Sequence, residues 1–207
     1  MRLGREFFER PTVELARALL GKRLAMGALE GKIVETEAYL FRGDPGCHAA
    51  RGRTTRNAPM FGPAGTAYVY LIYGMHHCLN VVSGREGEGE AVLIRALEPL
   101  AGIEAMRERR GGGGRGSRGL ESLCSGPGRL TRAFGITRAH NGSSLIDGEM
   151  QILDSREKPE IRASARIGLS AGEDLQLRFF VAGSAFVSGT KAQNGGKGEA
   201  PRRRLTG

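Results

Sequence analysis

Glu35, Glu37 and Tyr39 alternate through residues 32–40, a stretch whose side-chain pattern predicts a strand. Val34, Thr36, Ala38 and Leu40 would share one face, and Ile33, Glu35, Glu37 and Tyr39 the other. A carboxylate in mid-strand is costly unless it is paired or reactive, and a positioned one serves as a general base. The competing reading is a solvated face with two ordinary glutamates. Arg95 stands inside the apolar run Ala91-Val92-Leu93-Ile94-Arg95-Ala96-Leu97. A charge there implies a pocket wall or a structural ion pair, and the pattern serves both equally.

Residues 66–72 and 76–82 read as two strands rich in β-branched and aromatic residues, separated by Tyr73, Gly74 and Met75. Hairpin tips are normally polar, so this tip either packs on the rest of the protein or serves as a wedge of the kind that enters a stack of bases. His48 follows Cys47, and His76, His77 and Cys78 cluster on the second strand. No CxxC or HExxH spacing is present, and His76 and Cys78 would point away from His77. No metal and no cofactor are therefore expected, and the histidines suit hydrogen bonding or stacking better. The run Ser125-Gly126-Pro127-Gly128-Arg129 could offer backbone N–H groups to a phosphate, or be an ordinary helix cap.

The elements around these residues are short. A helix is expected over 11–20, strands over 91–97, 165–169 and 175–182, and helices over 100–110 and 125–134, the last stopped by Gly135. Residues 41–65 lack any period and read as a long ordered loop carrying His48, Arg51, Arg53 and Arg56. The Gly/Arg/Ser run 111–119 reads as a flexible basic loop.

The 207 residues, 40% of them hydrophobic, suit one domain over 1–189 followed by a disordered basic tail over 190–207. The net charge of +9 favours a polyanionic partner over small neutral metabolites, and the tail holds a net +4 of it. Three scattered cysteines and the lack of a long apolar run point to a soluble cytoplasmic protein with no membrane partner.

Taken in order, several strings resemble the alkyladenine (3-methyladenine) DNA glycosylases of vertebrates and many bacteria. They are Gly4-Arg5-Glu6-Phe7-Phe8, the strand Ile33 to Tyr39, Tyr68-Val69-Tyr70-Leu71-Ile72-Tyr73-Gly74-Met75, Leu93-Ile94-Arg95-Ala96-Leu97-Glu98-Pro99, and the stretch from Leu123-Cys124-Ser125-Gly126-Pro127-Gly128 to Arg166-Ile167-Gly168. The resemblance spans most of the chain. It departs at His76, where some relatives carry tyrosine, and in the glycine-rich 111–119 run.

The resemblance implies a single α+β domain with a curved, mostly antiparallel sheet, flanking helices and a protruding hairpin that intercalates into DNA. It implies a monomer that acts on duplex DNA containing damaged purines. Glu37 would deprotonate a water held with the help of Arg95 and the Ile167 carbonyl, leaving Glu35 a bystander. Tyr39 would stack on one side of the flipped base, and His48 with Tyr70 on the other, with Asn80 on the pocket floor. Tyr73 would fill the gap in the duplex, Met75 and His76 would accompany it, and Arg110 would contact the backbone. Implied substrates are 3-methyladenine, 7-methylguanine, hypoxanthine and ethenoadenine, released by hydrolysis without strand cleavage.

Overall fold

An eleven-residue strand, β2 (Leu29–Tyr39), forms the spine of the molecule because its length is matched by β5 (Glu90–Ala101), antiparallel along one edge. The computed structural model describes residues 1–111 and 119–195. β3 (Ala67–Ile72) and β4 (His76–Ser83) extend the sheet beyond β5. The other edge of β2 is shared: β1 (Arg23–Met26) pairs with its first residues and β8 (Arg178–Val181) with Glu35–Glu37. β6 (Met150–Leu153) borders β1 and β7 (Ile161–Ser164) borders β8, and every pairing is antiparallel. The forked edge gives a curled sheet, the α+β architecture expected.

Among the described residues, four short α-helices cover it: α1 (Arg5–Phe8), α2 (Thr12–Ala18), α3 (Ile103–Arg109) and α4 (Pro127–Phe134). Phe8, Leu15, Leu19, Ile33, Leu79, Ile94, Leu97, Phe134 and Phe179 fill the core between helices and sheet. Burial of such side chains contributes about 1.5–3 kcal/mol each. Thr36 turns into this layer and donates its hydroxyl to the Ala16 carbonyl at 2.8 Å, tying α2 to β2. Thr131 of α4 likewise donates to the His77 carbonyl at 2.9 Å. Gly135 ends α4 in the left-handed region, φ 76°, where a side chain would be strained.

Several expected elements change. The strand over 165–169 does not form, because Gly168 turns the chain at φ 79° and Arg166 sends its side chain inward. The helix expected from residue 100 begins at Ile103, since β5 runs on to Ala101. α1, β1, β6 and β7, four residues each, are too short for periodicity to reveal. Residues 191–195, placed in the expected tail, form turns in which Asn194 accepts from Arg178 at 2.7 Å; residues 196–207 and 112–118 lie outside the described residues. The three cysteines are free and buried, and burial pushes the Cys47 thiol up to about 11 and Cys124 to about 12, so both stay protonated.

Candidate active site

Two compensating bulges shape the centre of the sheet. Ile33 pairs with Leu97, Glu35 with Ala96 and Thr36 with Ile94, so Val34 on β2 and Arg95 on β5 each have no opposite residue. A bulge re-aims the side chains beside it. Here it lets Glu35, Glu37 and Arg95 converge, all at most 8% exposed. The solvated-face reading of the two glutamates is thereby excluded.

Glu37 is completely buried. Its Oε2 accepts from the Tyr39 hydroxyl at 2.9 Å and its Oε1 from the Ile167 N–H at 2.8 Å. Arg95 Nη1 lies 3.3 Å from the carboxylate. Ile167 thus meets Glu37 through its N–H. Burial, reinforced by the neighbouring Glu37 charge, raises the Tyr39 phenol well above its ordinary value, so it remains a donor.

Glu35 is held on the same face by four hydrogen bonds. Its Oε1 accepts from Arg95 Nε at 2.9 Å, from Arg178 Nε at 2.7 Å and from the Ser188 hydroxyl at 2.9 Å, and its Oε2 accepts from the Ser188 N–H at 2.6 Å. Burial alone would raise this carboxyl, but Arg95 and Arg178 outweigh it and hold Glu35 below its usual range. Arg178 is itself wholly buried and also donates to Ser164, Asn194 and the carbonyls of Ser188 and Gln193. Two carboxylates and two guanidiniums thus form a neutral buried quartet.

In front of this quartet opens a cavity of about 140 Å³, lined by Tyr39, His48, Tyr68, Tyr70, Asn80 and Arg95, with Ile167 to Leu169 on one wall. A water occupies about 30 Å³ and drug-sized pockets begin near 300 Å³, so this is space for one flat heterocycle. His48 and Tyr70 meet with ring centroids 4.6 Å apart at 72°, and Tyr68 lies 5.2 Å from Tyr70. His48 Nδ1 is 3.1 Å from the Tyr68 hydroxyl. Burial and then the nearby Arg56 lower the His48 pKa, while burial raises Tyr68 to about 12. The aromatic wall is therefore uncharged at neutral pH. Asn80 donates to the Tyr68 carbonyl at 3.1 Å, which fixes the amide on the floor.

The long loop that carries His48 is braced by Asn57, which accepts from Thr54 N at 2.6 Å and donates to the carbonyls of His48 and Gly52 at 2.9 and 3.0 Å. Tyr39 is braced from behind: the Arg166 guanidinium lies 4.6 Å from its ring centroid, held by Asp44 at 2.6 and 2.5 Å and by the Ala38 carbonyl at 3.0 Å.

The hairpin closes at Ile72 opposite His76, leaving a three-residue tip. Tyr73 is 80% and Met75 71% exposed, so the tip does not pack on the protein. Tyr73 holds φ 52°, a left-handed conformation unusual for an aromatic residue. The hairpin root rests on the start of α4, where a Cβ at Gly128 would come within 3.0 Å of the His76 ring. Tyr73, Met75, His76 and Arg110 do not line the cavity; Arg110 sits half-buried at the end of α3. Among the described residues, no three His, Cys, Asp or Glu side chains are grouped as metal ligands, and no helix is long and apolar enough to cross a membrane.

A family model described as "Methylpurine-DNA glycosylase (MPG)" matches residues 6–185. The chain belongs to the methylpurine-DNA glycosylase family. It is 50% identical over 196 residues to a protein of Methanoculleus marisnigri, covering 91% of this chain and 99% of that one. Against a protein of Chlorobium phaeobacteroides the identity is 47% over 202 residues, 92% and 97% of the two chains. Against one of Chlorobaculum tepidum it is 44% over 213 residues, 100% and 97%. All three are named as 3-methyladenine DNA glycosylases. The protein is accordingly a DNA-repair glycosylase whose substrate is DNA.

Sequence reasoning missed Arg178, Ser188, Arg166, Asp44 and Tyr68 in this glycosylase. One signal was available: Arg178 interrupts the apolar run Leu177-Arg178-Phe179-Phe180 as Arg95 interrupts its own.

Proposed function

We propose that the protein hydrolyses the N-glycosidic bond of alkylated or deaminated purines flipped out of duplex DNA, leaving an abasic site. Its substrates are 3-methyladenine, 7-methylguanine, hypoxanthine and ethenoadenine. The observation that carries the reading is that two walls of the cavity, Tyr39 and Arg95, are also the hydrogen-bond partners of a completely buried carboxylate, Glu37. That carboxylate takes a proton from water as the oxygen bonds to C1′ of the sugar. The C1′–N bond breaks and its electron pair leaves with the base. A cationic alkylated purine leaves as a neutral molecule, and an uncharged lesion such as hypoxanthine or ethenoadenine leaves as an anion that takes up a proton from solvent water, so the protein's main tasks are to place the water and to stabilise positive charge on the sugar.

The flipped base stacks between Tyr39 and the His48–Tyr70 pair, as electron-poor rings favour. Asn80 rejects guanine by steric conflict with its exocyclic amine. Tyr73 occupies the vacated place in the duplex, Met75 and His76 enter the minor groove beside it, and Arg110 contacts the phosphate backbone. No lysine is among the residues lining the cavity, which supports hydrolysis without an imine intermediate or strand cleavage. The enzyme acts as a monomer without metal or cofactor.

The test is single-turnover release of hypoxanthine or ethenoadenine from a duplex oligonucleotide. Loss of release in Glu37→Gln with duplex binding retained is the expected result. Equal rates for the two proteins would remove Glu37 from the mechanism.

A further inference from the structure

Behind the catalytic carboxylate, the chain from Ser188 to Asn194 closes the charge quartet, although the family match ends at residue 185. Arg95 has three sets of nitrogen contacts and each goes to a different partner. Its Nε donates to Glu35 at 2.9 Å, its Nη1 faces Glu37 at 3.3 Å, and its Nη2 donates to the Ser188 hydroxyl at 3.3 Å. The Ser188 hydroxyl in turn donates to Glu35 Oε1 at 2.9 Å. Ser188 therefore closes a ring with Arg95 and Glu35. A guanidinium is planar, so fixing Nε and Nη2 fixes where Nη1 points.

From this we propose that Ser188 is a positioning residue for excision: it sets the plane of the Arg95 guanidinium and thereby presents Nη1 to Glu37. The segment from Ser188 to Asn194 is thus a working part of the site. Arg178 supports the same arrangement from the other side. It neutralises the second carboxylate, leaving Arg95 shared between Glu35 and Glu37, and it holds the Ser188 and Gln193 carbonyls at 3.1 Å. Ser188 is not among the residues lining the cavity, so its influence passes through Arg95.

The inference rests on the catalytic reading of Glu37, and the test separates the two. Ser188→Ala keeps the backbone N–H bond to Glu35 and loses only the hydroxyl, so the fold survives. Ser188→Thr keeps both. Crystal structures of the wild-type protein and of both variants are compared with thermal midpoints, affinity for a hypoxanthine duplex and single-turnover rates. The expected outcome for Ser188→Ala is a guanidinium rotated away from Glu37 and excision at least tenfold slower, with midpoint and affinity near those of the wild type. Ser188→Thr restores both placement and rate. An unmoved guanidinium in Ser188→Ala overturns the inference, as does a loss of rate, midpoint and affinity together that threonine does not rescue. If Glu37→Gln excises as fast as wild type, the general-base reading fails, and the position of Arg95 in the Ser188→Ala crystals still decides the role of Ser188.

Discussion

The Arg166 guanidinium lies over Tyr39, 4.6 Å from the ring centroid, and is not among the side chains lining the cavity. Asp44 grips both of its terminal nitrogens, and neither side chain is exposed. Tyr39 is therefore backed by a neutral, rigid ion pair, and the first prediction concerns it. Arg166→Leu leaves Asp44 as an uncompensated buried charge, and breaking such a pair costs roughly 3–5 kcal/mol. Denaturant unfolding should show a loss of that order, and a variant as stable as the wild type would show that the pair holds nothing together.

Tyr73 has almost no intramolecular contact, so Tyr73→Ala should leave the unfolding midpoint unchanged. Stacking on bases is worth about 1–3 kcal/mol per base. Affinity for a lesion duplex should fall on the order of tenfold, measured by fluorescence anisotropy. Unchanged affinity would favour a hydrolase acting on free nucleosides or RNA, which has no use for the tip.

His48 yields a pH prediction. Its pKa is lowered from the ordinary 6.5 by burial and by Arg56. The unfolded chain then binds the proton more readily than the folded one, so the stability His48 contributes is present above pH 6.5 and is lost as pH falls towards the lowered value. A protonated His48 also repels a cationic base. Below pH 6.5, binding of a 7-methylguanine duplex should weaken more than that of a hypoxanthine duplex, and His48→Phe should abolish the difference. Parallel pH profiles for the two lesions in the wild type would refute this.

Ionic strength should matter greatly. A protein that makes six to ten phosphate contacts loses about 10³–10⁵ in affinity between 50 and 200 mM salt. Titrations across that range should give a steep linear log–log plot. A flat response would count against a duplex substrate.

Chelation should not matter. Prolonged dialysis against EDTA followed by single-turnover assay should return the original rate; a loss restored by a divalent cation would place a metal in the reaction.

Much of the core site was legible because strands declare themselves by alternation. Glu35, Glu37 and Tyr39 fell on one face, and the apolar hairpin tip stood out as costly. The Arg95 signal was equally visible but ambiguous, since a charge among apolar neighbours does not say what it pairs with. Its position opposite no residue, at a bulge, depends on β5 meeting β2, a contact between chain segments 60 residues apart. Arg166 was hidden for a related reason. Its stretch, 165–169, alternates like a strand, and only the turn at Gly168 reveals a wall instead. Asn194 lies in the stretch whose composition suggests a tail, and at Ser188, among the last residues of the expected domain, nothing local announces a bond to Glu35 across 153 positions.

That span also bears on how the molecule is made. β2 is among the first strands to leave a ribosome, yet the cations that neutralise its two carboxylates come from residue 95 and then from residue 178. A nascent chain halted before Arg178 holds Glu35 and Glu37 with a single guanidinium between them, and cannot bury both as anions without cost. The central strand is therefore fully compensated only once Arg178 is in place, and products truncated before it should be soft targets for proteases rather than partly active enzymes.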